Sequence, residues 1–425
     1  MLPAAAATPQ TPNDVVEYRI KPGDTPSQLA MRYIAPPHGW RDLLRLAGTH
    51  NPRTLPTGHT LEIPVDWLRG VSGQANLASY RGNVTVSIGG HATQPKAGME
   101  LGEGDEIATA ADSFATLALP NGSRVALPSQ SRVKVARLRK LVINGAIVYR
   151  FELERGRVDT RVTPLKDPSG RYTISTPISM TAVRGTEYAV SYNETAHAAG
   201  TEVFSGTVAV SPPGGAQPLL VPKDFGATTD AEGRSEKVEL LPAPDLVDPG
   251  KAQHDDLVTF DLTPVPGATG YHILLATDAG FVDSYHEQES ATPHFDVKDV
   301  PDGRQFVRIS ALAANGLEGQ RQSYAFVRQL ASIHGAAAAT PEGYQFKWFG
   351  AGEGKRHYRL RIFPDAPKGT PIVDEVGLTG NELTVDGLPP GVYFWQVATI
   401  QTGPDGMSEN WTDPERLTIA APNGD

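Results

Sequence analysis

The chain has 425 residues and a formal net charge of −10. That length suits about two to four domains, and the negative balance argues against nucleic acid as a general partner, because phosphate binding needs a clustered positive field. The absence of cysteine excludes disulfide frameworks, Cys-ligated zinc, iron–sulfur clusters and thiol nucleophiles.

Residues 1–14 form an Ala- and Pro-rich flexible lead with neither a basic n-region nor an apolar centre. The composition resembles the stretch that follows a small-residue cleavage site, so an export signal is expected to precede it. No apolar run approaches the roughly 18 residues that cross a bilayer, and no membrane insertion is expected.

Residues 15–69 read as strand, helix, helix, strand. Val16–Ile20 and Leu61–Pro64 are the predicted strands, with helices near Pro26–Ile34 and Trp40–Gly48. Thr25 is placed to cap the first helix, Pro26 fits its first position, and Gln28 completes a capping box. With Gly23-Asp24-Thr25, Leu29-Ala30, Asn51, Gly58, Leu61, Ile63 and Pro64, the segment resembles a LysM domain. That resemblance implies a β-α-α-β module binding N-acetylglucosamine glycans such as peptidoglycan. It assigns the groove to Gly23, Asp24, Thr25 and Pro26 on one side and Asn51, Pro52 and Thr54 on the other. The same residues have a purely structural reading as helix caps and turn formers. Relative to the family, Pro26 replaces an apolar residue, Ala35-Pro36-Pro37-His38 lengthens the interhelical connection, and the module is single.

A Gly/Ser-containing joint, Gly70–Asn76, leads into residues 76–222. There helical periodicity is absent and short alternating runs are separated by glycine turns. Gly82, Gly156 and Gly206 each precede a period-2 strand, which suggests a repeating hairpin unit. Asn144-Gly145 suits a two-residue hairpin that places Val142 opposite Ile147, with Tyr149, Phe151 and Leu153 inward and Arg150, Glu152 and Glu154 outward. At Asn121-Gly122 an odd-length loop or a bulge is predicted, pairing Leu119 with Val125 and Leu117 with Leu127 on the core face. The region resembles the FecR family through Tyr80-Arg81-Gly82, Gly98 through Gly104-Asp105, Asn121-Gly122-Ser123, Leu153-Glu-Arg-Gly156, Thr176-Pro177 and Val183-Arg184-Gly185-Thr186. The family is named for a periplasmic regulator that relays signals to a sigma-factor system. This sequence carries neither the anti-sigma segment nor the transmembrane helix that relay uses.

Residues 223–251 read as a Pro- and charge-rich linker. Two further segments, 252–331 and 332–421, resemble degenerate bacterial fibronectin type III sandwiches. The second has Trp348 as its early core tryptophan and an alternating Tyr393, Trp395, Val397; in the first, Phe260 and Gln305 occupy the tryptophan and tyrosine positions. The expected fold class is therefore mainly β and multidomain: a small α+β N-terminal module, a β-rich FecR-like domain and two β-sandwiches.

No catalytic site is expected. Ser131-Arg-Val-Lys134 matches the Ser-x-x-Lys spacing of acyl-serine enzymes. That spacing works on a helix, whereas alternation with Val133 and Val135 makes this a strand with Ser131 and Lys134 on opposite faces. The histidines lack metal-ligand spacing, Glu103-Gly-Asp105-Glu106 reads as a turn, and no cofactor or metal is implied. Nine basic residues between Arg132 and Arg161 read as a solvated sheet face, with a surface for an anionic polymer as the functional alternative. The resulting expectation is a non-enzymatic scaffold, periplasmic, at the cell surface or secreted, that binds peptidoglycan and envelope partners. A FecR-like sensor or assembly component binding an envelope protein is the alternative, and a secreted adhesin the weaker one.

Overall fold

A computed structural model describes residues 15–212, 217–251, 253–350, 355–403 and 406–420; the expected lead lies outside these. Strand makes up 56% and helix 5%, so the protein is mainly β and multidomain, as expected. It forms two compact units. The first comprises the chain up to Asp245 with Thr263–Pro293 and Arg308–Ser323, and the second Leu246–Leu262, His294–Val307 and the chain from Tyr324.

The first unit begins with strand Val15–Arg19 paired antiparallel to Thr60–Pro64, Val16 opposite Ile63. Helices Pro26–Tyr33 and Trp40–Leu46 lie between them in sequence. Thr25 caps the first helix, its Oγ1 accepting from Gln28 N–H at 3.3 Å. The second starts at Gly39, whose N–H donates to the Asp42 carboxylate at 2.8 Å. Val16, Leu29, Leu43, Leu61 and Ile63 are buried together. Burial of these side chains, each contributing about 1.5–3 kcal/mol, explains why so short a module holds two helices that would not persist alone.

The module does not end at its own core. Leu141, Ala146 and Val148, from the neighbouring β-domain, belong to the same buried cluster. Arg69 N–H donates to the Tyr33 carbonyl at 2.7 Å, and Val142 N–H to the Arg69 carbonyl at 3.0 Å. The expected joint at 70–76 is itself structured: Gly70–Ser72 pairs with Arg132–Leu141, Leu141 opposite Gly70.

From Gly70–Ser72 to Ser235–Glu239 the strands close into a barrel. Its interior is filled by Leu77, Val86, Leu117, Val135, Phe151, Tyr172, Ile174 and Val203, among others. Strand Ile147–Arg161 organises it. Up to Arg155 it pairs with Arg132–Leu141; from Gly156 it pairs with Glu187–Asn193 and, from Asp159, with Arg124–Leu127. Gly156 marks the change of partner. Its φ is +80°, and a Cβ there would lie 2.6 Å from the Gln130 carbonyl oxygen and the Ser131 Cα, so only glycine fits the bend.

Two hairpin registers differ from expectation. Lys140 pairs with Ile147 and Leu141 N–H donates to the Ala146 carbonyl, giving a four-residue loop, 142–145, instead of a two-residue one. The reason is burial: Leu141 enters the module's core, and Val142 is left exposed. Tyr149, Phe151 and Leu153 face inward as expected. At Asn121-Gly122 the loop is odd-length, Pro120 to Gly122, closed by Leu119 N–H on the Ser123 carbonyl at 2.8 Å. The register is two residues from the expected one, with Leu117 opposite Val125 and Ala115 opposite Leu127. Parity keeps the apolar residues on the core face either way.

Residues 223–251, expected as a linker, carry two paired strands, Phe225–Thr229 and Ser235–Glu239. Asp230 builds the turn between them, its Oδ1 accepting from the Glu232 and Arg234 N–H groups. The strands are short and polar on one side, which masks their period-2 pattern.

Residues 252–331, expected as one sandwich, divide between the units. Ala268–Ala276 and Ser284–Ser290 pair within the first, Tyr271 opposite Ser290, and charged contacts described below hold them to the barrel. In the second unit Val258–Asp261 pairs with His294–Val297, Phe260 opposite Phe295, and Phe260 meets Phe326 edge-on at 5.2 Å. Phe260 thus fills the place expected for a tryptophan, while Gln305 is buried.

Also in the second unit, Ile333–Thr340, Gly343–Gly350 and Glu382–Val385 form one sheet; Val373–Leu378, Lys355–Pro364, Gly391–Gly403 and Gly406–Trp411 form another, to which Glu415–Ile419 adds. Trp348, Trp395, Phe346, Leu360 and Ile362 pack as their core. Tyr393 Oη donates to the Pro389 carbonyl at 2.7 Å, the corner bond that glutamine at 305 does not supply.

Candidate functional site

The residues expected to bind glycan fall in two places on the module. Gly23, Asp24, Thr25 and Pro26 form the turn into the first helix; Asn51, Pro52 and Thr54 lie in the loop after the second and are exposed. Ile20, just before the turn, is bonded to the chain leading into the second strand, its N–H donating to the His59 carbonyl and its carbonyl accepting from Gly58 N–H, both at 2.9 Å. The turn is preorganised. Asp24 Oδ2 accepts from Tyr18 Oη at 2.9 Å and from Lys21 N–H at 2.7 Å. Burial, followed by the Asp24 bond, pushes the Tyr18 phenol up to about 12, so it stays a donor. Pro26 is buried and contributes to the helix start; Asn51 Oδ1 accepts from Arg53 N–H at 3.0 Å. The interhelical extension folds back, with His38 stacked on Trp67 at 4.3 Å.

Other candidate residues have structural roles. Ser131 is buried, donates to the Ser129 carbonyl at 3.1 Å and accepts from Arg157 N–H at 3.0 Å, and burial alternates along Ser131, Val133 and Val135 while Lys134 is partly exposed. Asp105 is buried in a turn, accepting from Gly89 and Gly102 N–H groups at 2.9 and 2.7 Å. Glu103 forms a fork with Arg139, Nε to Oε1 at 2.6 Å. Burial would raise its carboxyl, but Arg139 and the Leu138 amide hold it below the usual range.

The basic run from Arg132 to Arg161 is more engaged than a solvated face would be. Arg137 pairs with Asp66, Arg139 with Glu103, Arg161 with Glu187 at 3.2 Å and Arg132 with Glu154 at 3.9 Å. Such pairing leaves less free positive field for an anionic polymer.

Arg157 leads into a buried charge network that sequence reading did not find. Its Nη1 lies 3.2 Å from Glu202, its Nη2 2.6 Å from Glu318, and its Nε 3.2 Å from Asp159. Arg321 bridges Asp159 at 2.8 Å and Glu318 at 2.7 Å. His272 lies 3.3 Å from Glu318 and 3.6 Å from Glu287, and Glu287 accepts from Ser129 N–H at 2.9 Å. Burial alone would lower His272, but its two carboxylate partners raise it to about 9. Burial raises Glu202, whose Oε2 has no hydrogen-bond partner. At a second point Arg81 forks onto Asp283 at 2.8 and 2.6 Å, with Ser79 Oγ donating at 2.6 Å. These bonds, Arg81 first, hold Asp283 far below the usual carboxylate range. The network joins the barrel to residues 263–293 and 308–323 of the same unit, and no motif spacing signals it.

The strand that bends at Gly156 and the turn that Asp105 ties together lie in a stretch with known relatives. Residues 105–209 match the family described as FecR protein. This span is a FecR domain. It falls inside the range 76–222 expected from the motifs. No curated protein matches the chain. Among solved structures, one titled as an anti-sigma factor from Parabacteroides distasonis is 18% identical, covering 32% of this chain and 59% of that one, with a TM-score of 0.26. A two-domain fibronectin type III segment of chicken tenascin is 14% identical, covering 42% of this chain and 100% of that one, with a TM-score of 0.23. Among the described residues no helix is long and apolar enough to cross a membrane.

Proposed function

We propose that the protein is a non-enzymatic component of a bacterial cell envelope, in the periplasm or at the cell surface. Its FecR domain and β-sandwiches bind an envelope protein, and its LysM-like module binds peptidoglycan or a related N-acetylglucosamine glycan. The observation that carries this reading is the core shared by the module and the β-domain through Leu141, Ala146 and Val148. A glycan held at the turn and loop is thereby fixed to the FecR domain without a tether, which suits a protein that positions one envelope component against another. FecR proteins are a non-enzymatic kind, in keeping with this reading.

The test uses the full chain and purified sacculi. Co-sedimentation is expected, reduced several-fold by combined Asn51→Ala and Thr54→Ala, which touch exposed residues and leave the core alone. A chain that stays in the supernatant refutes wall binding. The second reading, a FecR-like sensor or assembly component independent of glycan, is favoured by the FecR match itself. It predicts a stoichiometric complex with an envelope protein that the double variant retains. Turnover of labelled peptidoglycan would refute both.

A further inference from the structure

A cavity of about 240 Å³ lies within the first unit, walled by barrel strands and by residues of the 263–293 and 308–323 segments. Four arginines reach it, Arg124, Arg161, Arg308 and Arg321, against two carboxylates, Asp159 and Glu187. Both carboxylates are already engaged: Glu187 pairs with Arg161 at 3.2 Å, and Asp159 with Arg321 at 2.8 Å and Arg157 at 3.2 Å. Among the described residues, the guanidinium groups of Arg124 and Arg308 have no carboxylate partner. That leaves a local excess of positive charge in a protein of net charge −10.

The two unpaired groups are nonetheless positioned. Arg308 lies over the face of Phe281, its guanidinium carbon 3.9 Å from the ring centroid, an arrangement that orients the cation without neutralising it. Arg124 reaches Gly280, where a Cβ would meet its Nη1 at 2.9 Å. Burial, then the charge of Arg321, lowers Arg308 to about 10, against the weaker pull of Asp159, Glu187 and Glu318, none of which pairs with it directly. Both side chains are half-buried, which strengthens their attraction for an anion, and a planar donor fork is the group best matched to carboxylate or phosphate oxygens.

We propose that this cavity is a binding site for a small oxyanion, a carboxylate or phosphate group gripped by Arg308 and Arg124, with Phe281, Phe114 and Leu274 as its apolar wall. The site goes beyond the glycan and partner surfaces and does not rest on them. It would make the junction between the FecR domain and the strands packed on it responsive to a metabolite-sized anion.

Thermal unfolding of the full chain tests this, with inorganic phosphate and acetate titrated against chloride at matched ionic strength. A saturable rise in Tm is expected for at least one anion, and which one acts distinguishes phosphate from carboxylate chemistry. Arg308→Gln is expected to weaken the apparent affinity at least tenfold. Gly280→Ala keeps every charge but displaces Arg124, so a several-fold loss is expected there too, and it decides the matter if Arg308→Gln fails to fold. No saturable effect from either anion, or an affinity unchanged in the folded variants, overturns the proposal.

Discussion

Seven ionisable side chains, Arg157, Arg321, His272, Asp159, Glu202, Glu318 and Glu287, meet largely out of water in the first unit. Their roles differ with environment. Burial raises Glu202, whereas Glu318, although burial opposes it, is held far below the carboxylate range by Arg321 and Arg157. Glu202→Gln, at a carboxyl whose charged form burial disfavours, is expected to cost less than Glu318→Gln, which strands buried cations at about 3–5 kcal/mol. Denaturant midpoints of the two variants check the contrast; equal losses would count against it. His272 supplies a pH dependence. Its pKa rises on folding from 6.5 to about 9, so its stabilisation is complete below pH 6.5 and is lost as pH climbs through 9. At about 1.4 kcal/mol per unit the swing is on the order of a few kcal/mol. Stability measured from pH 6 to 10 is expected to fall over that window, and to fall less in His272→Gln.

At the scale of elements, single positions decide whether strands can bend and sheets can close. Gly156 combines a positive φ with contacts that leave no room for a Cβ, at the point where Ile147–Arg161 changes partners. Gly156→Ala is expected to cost about 3 kcal/mol or more, since both strain and overpacking apply, and a lowered urea midpoint is the check. In the second unit Trp348 is wholly buried, and its Nε1 donates to the Gly380 carbonyl at 3.1 Å. Trp348→Ala is expected to cost about 3–5 kcal/mol; a near-native midpoint would show that the cavity collapses.

For the molecule as a whole, the N-terminal module of residues 15–69 is expected not to be detachable without damage to the FecR domain. Removing residues 1–69 uncovers Leu141, Ala146 and Val148, and takes away the Asp66 partner of Arg137. The truncated protein is expected to have a lower Tm than the full chain and to bind a hydrophobic dye. Unchanged unfolding and no dye binding would indicate that the two cores are independent. For this reason point variants on exposed loops test glycan binding better than truncation.

Much of this was legible in the residues. Thr25, Pro26 and the alternation around Tyr149, Phe151 and Leu153 are local signals, and local signals specify element type because their interactions span two to four residues. Glycines 82, 156 and 206 stand out for the same reason, each having a positive φ, but Gly156 lies within strand Ile147–Arg161 and starts no hairpin. The two hairpin loops were less legible: loop parity follows from alternation, whereas the register at Leu141 depends on a core supplied by another module. Strands Phe225–Thr229 and Ser235–Glu239 read as linker because they are short and, in the second, every residue but Val238 is polar. By itself the sequence determined that the chain is mainly β, that a small α+β module comes first and that a FecR domain follows. Only the tertiary structure decided that Arg157 meets Glu318, that Arg308 and Arg124 line one cavity without carboxylate partners, and that two modules share a core. Periodicity records which side of an element is apolar; which distant groups meet there, and so which charges lose their water, is set when the elements pack.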